Sequence, residues 1–414
     1  MGLLIALTGL IPSSPVRDAI TGGAYTPAEV ERPVSYLLGA PLFGLWDTLS
    51  LLTVSQHYAV IATLAALYVS LRRRARGAGG WLPRLRREAV LAVAAFCGLL
   101  AFYVGGAILP RPMVGLVVSD PDRVVVDFHS HTRWSHDGWR LFSAERNRAW
   151  HRAGGFDAAY VTDHYTWRGV DSAAVRNPAR AGDGIVLLEG VEVRIHQRPT
   201  VVLGARRRAI AALDADSVYM NPDVLRQAPR EELPPTLLYT MPGGLEWVVP
   251  FDQNERSGVV AIEINDASPR GLEQTRGERD AIIRLADSVN LALVGVSNLH
   301  GWGRTVASWS IMELPGWQSL TPNELGAAIE GHIHAERRDA VEVVERAVPY
   351  HDGSGVRVAL TVPIVLGAYA RALSWGERTS WLAWLLALSA LMKVRRSAVE
   401  RRGTSAPSPP PDYA

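Results

Sequence analysis

The sequence predicts an α/β fold, a barrel of alternating strands and helices, flanked by transmembrane helices. Short apolar runs alternate with helix-like segments between residues 122 and 355, which is the pattern of βα units around a mainly parallel sheet. Ala89 to Leu109 is a stretch of 21 residues without a charge, long enough to cross a bilayer. Ionisable side chains gather at the carboxyl ends of the apolar runs, where such barrels place their chemistry.

The first elements belong to the membrane. After an N-terminal segment, 1–33, we expect a membrane region over 34–110 with spans near 54–71 and 89–109. The loop 72–87 between the spans carries seven arginines, which should hold it in the cytoplasm. The following domain would then be extracytoplasmic on an integral protein of the bacterial inner or cell membrane. Ser35 to Thr53 is compatible with an interfacial segment, a re-entrant segment or a third span.

The domain itself is expected over 122–355. Its predicted strands and helices follow in order: strand 124–128, helix 143–151, strands 158–162, 185–189, 200–203, 237–239 and 259–265, helix 272–287 and strand 291–297. Beyond it, 356–392 is predicted to be a hydrophobic, membrane-associated segment that forms interfacial helices, one broken span or a hairpin. Residues 393–414 form a basic, Pro-rich tail.

A histidine pair at the end of the first strand predicts a metal site. In Asp127-Phe-His-Ser-His131 the strand period of two sends Asp127, His129 and His131 to one face. Two neutral imidazoles on one rigid edge are half of a site for Zn, Mn or Fe.

Several motifs in order resemble the polymerase and histidinol phosphatase family, called PHP. These motifs are His129-x-His131, Ser135-His-Asp-Gly138, Thr162-Asp-His164, Gly190-Val-Glu192 and Asn298-Leu-His300. The resemblance covers residues 122–355 and implies a distorted (β/α)7-type PHP barrel. It also implies a metal-dependent phosphoesterase with one or two divalent ions, Zn, Mn or Fe, per chain.

The resemblance implies two ligand groups. One takes His136 or Asp137 with His164 and His300, and the other takes His129, His131 and Glu192, with Asn298 as a weak fourth ligand. The strand 200–204 lacks a family histidine, Met241 stands where another is expected, and Asn298 replaces an aspartate. His196 is a candidate replacement ligand, or it simply ends a strand at the surface.

Arginines beside these motifs are candidates for binding phosphate, because the guanidinium fork holds oxyanions in a bidentate way. They are Arg133, Arg194 and Arg304. The expected partners are the lipid bilayer and a phosphorylated small molecule or envelope component. The sequence has no basic stripe with interleaved aromatics, so no nucleic acid is expected.

The sequence lacks the motifs of a P-loop nucleotide hydrolase and of a serine hydrolase with a Gly-x-Ser-x-Gly turn. No glycine-rich loop ends in Lys-Ser/Thr, since Lys393 is the only lysine, and there is no Gly-x-Ser-x-Gly. Cys97, the single cysteine, lies in an apolar stretch and excludes an internal disulfide.

Two hypotheses on function remain. The first is a membrane-anchored phosphoesterase that hydrolyses a phosphate ester through a metal-bound hydroxide. The second is a degenerate PHP-like domain that binds a ligand or scaffolds partners at the membrane. The preserved ligand candidates favour the first hypothesis, whereas Met241, Asn298 and the strand 200–204 favour the second.

Overall fold

A computed structural model describes residues 2–74, 81–195, 198–204, 236–240, 259–348 and 354–404. The strands are β1 Val16–Asp18, β2 Ala28–Glu31, β3 Gly115–Val118, β4 Arg123–Ser130, β5 Ala158–Val161, β6 Val186–Ile195, β7 Arg198–Leu203, β8 Thr236–Tyr239, β9 Val259–Asp266, β10 Ala292–Val296, β11 Ser308–Glu313 and β12 Glu342–Arg346. The α-helices are α1 Gly2–Thr8, α2 Val34–Leu38, α3 Ala40–Leu49, α4 Val54–Arg74, α5 Trp81–Ile108, α6 Ala144–Gly154, α7 Arg168–Ala174, α8 Arg276–Val289, α9 Pro322–Glu336, α10 Gly355–Ala359, α11 Thr361–Ala372 and α12 Trp375–Thr404.

Ten strands form one curled sheet in the order β1-β12-β11-β4-β5-β6-β7-β8-β9-β10. The curl brings β10 back towards β4 and β11, where the Ser310 hydroxyl accepts from Gly295 N and donates to Gly295 O, both at 2.9 Å. Valine, leucine and isoleucine side chains from both halves of the sheet fill the space between them in one continuous buried core. The predicted α/β class and a barrel-like curvature of the sheet are confirmed.

The sheet is mixed, which a repeated βα pattern does not reveal. β4, β5 and β6 are parallel, as are β8, β9 and β10, but β7 runs antiparallel between β6 and β8. On the other side β11 pairs antiparallel with β4. The strands of the two parallel groups, β4 to β6 and β8 to β10, therefore have their carboxyl ends at the same edge of the sheet. The candidate ligands come from both groups.

Local signals in the sequence account for the helix ends near the barrel. Ser143 caps α6, whose C-terminus is closed by Gly155 at φ 80°. Thr275 and Glu278 form a capping box at the start of α8, and Thr321 and Glu324 form one at the start of α9. The helices predicted over 143–151 and 272–287 are thus found at Ala144–Gly154 and Arg276–Val289.

The N-terminal segment is part of the sheet. β1 pairs antiparallel with β12, and the Arg17 guanidinium lies 2.7 Å from the Glu345 carboxylate. β2 pairs with β3, which follows the predicted membrane region 34–110. The segments that flank this region in the chain are therefore joined in one small sheet.

α4 and α5 form an antiparallel pair that we call the membrane hairpin. His57 Nδ1 lies 3.2 Å from the Tyr103 hydroxyl near one end, and Arg72 forms an ion pair with Glu88 near the other. The stretches Val54–Arg73 and Leu85–Ile108 are long and apolar enough to cross a membrane, and only 6% of each one's most apolar window is buried. Length and composition support two spans here, without fixing their orientation.

The base of the hairpin packs against the segment predicted to be interfacial, re-entrant or spanning. That segment forms α2 and α3, in which Asp47 is buried at 3% exposure. Asp47 accepts from Arg111 at 3.0 Å, from Thr305 at 2.8 Å and from the Tyr36 hydroxyl at 3.0 Å. α11 and α12 pack on α1, α3 and α4, and α12 continues from Trp375 as one unbroken helix with an exposed apolar surface.

One buried carboxyl at the start of β5 predicts a pH dependence of stability. Asp157 accepts from Val125 N at 2.8 Å, and burial raises its pKa to about 6 from 3.8. The folded state holds this proton more tightly than the unfolded state. Ionised Asp157 therefore lowers the free energy of unfolding. This loss is absent below pH 4 and complete above pH 6.

We expect Asp157→Asn to keep the acceptor and to remove this titration. Its unfolding free energy relative to the parent chain should rise between pH 4 and pH 7 by up to about 3 kcal/mol. Denaturant unfolding at several pH values measures this difference. Asp280→Asn, exposed on α8, is the control, and a difference that stays constant with pH would contradict the prediction.

Candidate metal centre

The candidate ligands meet at the carboxyl ends of β4, β5 and β10 and in the middle of β6. Three overlapping groups have ligand atoms that all lie within 4.8 Å of one another. They are His129, His131 and Glu192; His131, His164 and His300; and His136, Asp137 and His164. The groups share His131 and His164, so they form one continuous centre.

The first group is deeply buried. His129 Nε2 lies 2.9 Å from His131 Nε2 and 3.0 Å from Glu192 Oε2, and His131 Nε2 lies 3.3 Å from the same oxygen. All three residues are less than a tenth exposed. Two imidazole nitrogens and a carboxylate oxygen converging on one point are a donor set suited to Zn, Mn or Fe.

Three of the histidine rings have a polar partner at Nδ1, on the side away from the centre, which turns Nε2 towards the centre. His129 Nδ1 donates to the Glu263 carboxylate at 2.7 Å, and His300 Nδ1 donates to Asn298 O at 2.9 Å. His131 Nδ1 lies 3.1 Å from the Ser135 hydroxyl. A partner on Nδ1 fixes the tautomer and leaves Nε2 available as a ligand.

The second group lies nearer the surface. Asp137 Oδ2 lies 3.1 Å from His300 Nε2 and 3.4 Å from His164 Nε2, and His136 stacks at 4.6 Å from the His164 ring. His164 Nδ1 lies 3.4 Å from Glu192 Oε2, which links the two groups. Asp137 is 44% exposed, so this side of the centre faces solvent.

The pKa values show how charge is distributed over the centre. Burial would lower the pKa of His129, but the Glu192 and Glu263 carboxylates outweigh it and raise that pKa well above its usual value. Burial and the neighbouring His300 lower the pKa of His131 to about 3. Burial would raise the pKa of Asp137, but its hydrogen bond and charge interactions with His300 and His164 hold it well below its usual value.

Among the described residues, Asn298 Oδ1 is buried and has no hydrogen-bond partner, and the loop after β10 places Asn298 beside Asp266. His300 Nε2, on the same loop, lies 3.1 Å from Asp137 Oδ2. Asn298 adopts the left-handed backbone region at φ 43°, which asparagine tolerates better than most residues. A cation at this position would give Asn298 Oδ1 a partner, so the residues present fit a metal.

The other predicted site residues are placed as follows. Arg194 is exposed and lines the cleft in front of the centre. Arg133 is exposed and lies over the Trp134 ring, and Arg304 is half-buried beside Met113; neither is among the described side chains that line the cleft. His196 and Met241 lie outside the described residues.

Sequence reasoning missed Glu263 and Arg270. Glu263 is fully buried behind His129, and its signal was an acid in the middle of the apolar stretch Val259–Ile264. Arg270 lines the cleft from the loop after β9, and no local pattern distinguishes it from other arginines.

A scan against protein-family models matches none of them, and a search of curated proteins finds no significant match. Among solved structures, the chain is similar to PsfC from Pseudomonas syringae at 17% identity and a TM-score of 0.40, covering 61% of this chain and 99% of that one. It is similar to a two-domain protein from Bacteroides vulgatus containing a predicted PHP-like metal-dependent phosphoesterase, at 15% identity and a TM-score of 0.36, covering 57% and 69%. It is also similar to the lesion-specific endonuclease Q from Pyrococcus furiosus, at 13% identity and a TM-score of 0.37, covering 50% of this chain and 56% of that one. PHP-like proteins thus stand among the structural neighbours, as the motifs predicted, but likenesses of this size do not decide what this chain does.

Glu263 provides a test of the centre that does not depend on activity. We expect Glu263→Gln to lower the affinity for Zn or Mn by about 10- to 100-fold, because the His129 ring loses its charged partner. Competition with a chelating dye on the purified full chain measures this affinity. Glu336→Gln, exposed on α9, is the matched control. Equal affinities for the two variants would show that Glu263 does not orient a metal ligand.

Proposed function

We propose that this chain is a membrane-anchored, metal-dependent phosphoesterase with its catalytic centre on the extracytoplasmic side of the membrane. The observation that carries the proposal is the convergence of His129, His131, His164, Glu192 and His300. Buried ligand candidates that are oriented from behind by hydrogen bonds are costly to keep unless they hold a cation.

One set of residues would bind cations and another set would bind phosphate. His129, His131 and Glu192 would hold one ion with help from Asn298, and His136 or Asp137 with His164 and His300 would hold a second. A divalent ion supplies a Lewis acid that activates water and neutralises phosphate charge. Arg194 and Arg270 line the same cleft as the ligand candidates and would bind the phosphate oxygens there.

One observation favours the alternative, a degenerate domain that binds a ligand without turnover. Residues 200–203 of β7, where the PHP resemblance implies a histidine ligand, are Thr200, Val201, Val202 and Leu203, and all four are buried. A centre with one or two ions does not need that position. We therefore retain the enzyme as the proposal.

Replacing a ligand candidate should abolish hydrolysis. We expect His129→Ala and His164→Ala to lower turnover of a phosphate ester by at least about a hundredfold, because activation of water is lost. Chelation should do the same to the parent chain, and added Mn or Zn should restore it. The screen uses p-nitrophenyl phosphate, bis-p-nitrophenyl phosphate and a DNA duplex with an abasic site, because a DNA enzyme stands among the structural neighbours.

The control is His332→Ala, which is half-buried on α9 and lines a separate cleft beside Arg123. It should retain parental turnover. If the metal-loaded parent hydrolyses none of the probes, or if the ligand variants match the parent, the enzyme proposal fails and the binding alternative takes its place.

The proposed orientation has its own test. Seven arginines between residues 72 and 87 should keep the tip of the membrane hairpin in the cytoplasm. An alkaline phosphatase reporter fused after Arg123 should therefore be active, and the same reporter fused after Arg74 should be inactive. The reverse pattern would put the centre in the cytoplasm.

A further inference from the structure

The loop that carries two ligand candidates is attached to the end of the membrane hairpin. Asn298 and His300 lie just after β10, and Gly303, three residues on from His300, donates from its N to Ala107 O at 2.8 Å. Ala107 belongs to the last turn of α5. This hydrogen bond therefore joins the loop of Asn298 and His300 directly to the end of the proposed membrane hairpin.

A buried ion pair fixes the same junction. Arg111, just beyond α5, donates to Gly106 O at 2.6 Å, to Asp47 at 3.0 Å and to the Thr305 hydroxyl at 3.1 Å. Asp47 and Arg111 are 3% and 5% exposed, so this contact is shielded from salt and water. The wall of the cleft that contains Trp302 and Thr305 is thus held at a constant distance from the hairpin.

Trp302 and Thr305 line the cleft in front of the ligands. The cleft has a volume of about 700 Å³, and its described lining also includes His300, Asn298, Arg194 and Arg270. We call the side of the cleft next to Trp302 its mouth; with α5 crossing the bilayer, the mouth would lie at the level of the lipid headgroups.

Exposed apolar side chains lie close to Trp302 and Trp139 in the chain and at the end of α5. Trp302 lines the cleft, is 52% exposed and stacks on Trp139 with ring centroids 5.3 Å apart, and Leu141, two residues after Trp139, is 59% exposed. Leu109, just after α5, is 50% exposed. Tryptophan is typical of the bilayer interface, where its ring lies among the headgroups and its N–H stays hydrated.

We propose that the substrate is a phosphate ester of a membrane-resident amphiphile, bound with its headgroup in the cleft and its hydrocarbon chains in the bilayer beside Trp302 and α5. Arg194 and Arg270 bind the phosphate oxygens, and the ligand candidates lie at its inner side. Hydrolysis breaks one P–O ester bond: the water oxygen joins phosphorus, and the departing alkoxide receives the proton. This inference rests on the proposed function and on the hairpin crossing the membrane.

The test compares substrates that differ only in their chains. The metal-loaded full chain is assayed with dihexanoylphosphatidic acid and dihexanoylphosphatidylglycerol below and above their micelle concentrations, and with glycerol 3-phosphate and glycerophosphoglycerol. We expect the rate to rise at least about tenfold when either lipid forms an interface, which corresponds to about 1.4 kcal/mol. We expect the esters without acyl chains to be hydrolysed no faster than the monomeric lipids.

Trp302→Ala should lower the interfacial rate about fivefold or more, whereas Trp375→Ala, 77% exposed at the start of α12 and outside the cleft, should not. If the chain-free esters are hydrolysed as fast as the micellar lipids, the amphiphile proposal is overturned and the phosphoesterase stands. If no probe in either screen is hydrolysed, both are overturned.

A readout independent of turnover tests the position of the mouth. In a Cys97→Ala background, an environment-sensitive dye is attached to Leu141→Cys or to His332→Cys, and the full chain is reconstituted into vesicles. His332 lies beside Arg123 at the amino end of β4, opposite the cleft. The dye at 141 should show a blue-shifted, lipid-like emission and the dye at 332 a water-like one. Water-like emission at both positions would overturn the proposal.

Discussion

The candidate centre depends on one buried carboxylate, Asp127, which holds the loop after β10 against β4. It accepts from Ser297 N at 3.0 Å, from the Ser297 hydroxyl at 2.5 Å and from His151 Nε2 at 2.8 Å, and all three residues are 5% exposed or less. The loop after β10 is thereby fastened to β4, and His131 N continues the contact by donating to Leu299 O at 2.8 Å. A buried carboxylate without such partners would be strongly destabilising, so the closure and the charge stabilise each other.

The closure explains why ligands from distant parts of the chain share one centre. His131, just after β4, is brought against His300 only because β10 returns to β4. The charges around them are then balanced within the protein, since Glu192 and Glu263 flank His129 while Asp137 faces His164 and His300. A cation in the centre would enter surroundings whose negative charge comes from carboxylates that are already oriented.

The sequence predicted the parts of this arrangement that are local. The spacing of His129 and His131, the helical pattern over 143–151 and the apolar run Ala89–Leu109 each lie within one stretch of the chain, so these patterns can be read directly. The antiparallel course of β7 and the role of Glu263 are set by pairing across the sheet, which leaves no periodic trace in the chain. The ion pair of Asp47 with Arg111 joins residues 64 positions apart, and in the sequence each looks like an ordinary charge near a membrane segment.

β1 has a consequence for the order in which the molecule assembles. The strand Val16–Asp18 finds its partner in Glu342–Arg346, so the edge of the sheet cannot form until nearly the whole domain has been synthesised. Closing a loop of that length in a free chain is slow and entropically unfavourable. Insertion of the proposed spans α4 and α5 as a pair would bring residues 53 and 109 together early and would shorten the effective loop before the last strand arrives. The membrane helices would then act as a folding clamp as well as an anchor, and a barrel cut free at residue 110 would lose its first strand along with its tether.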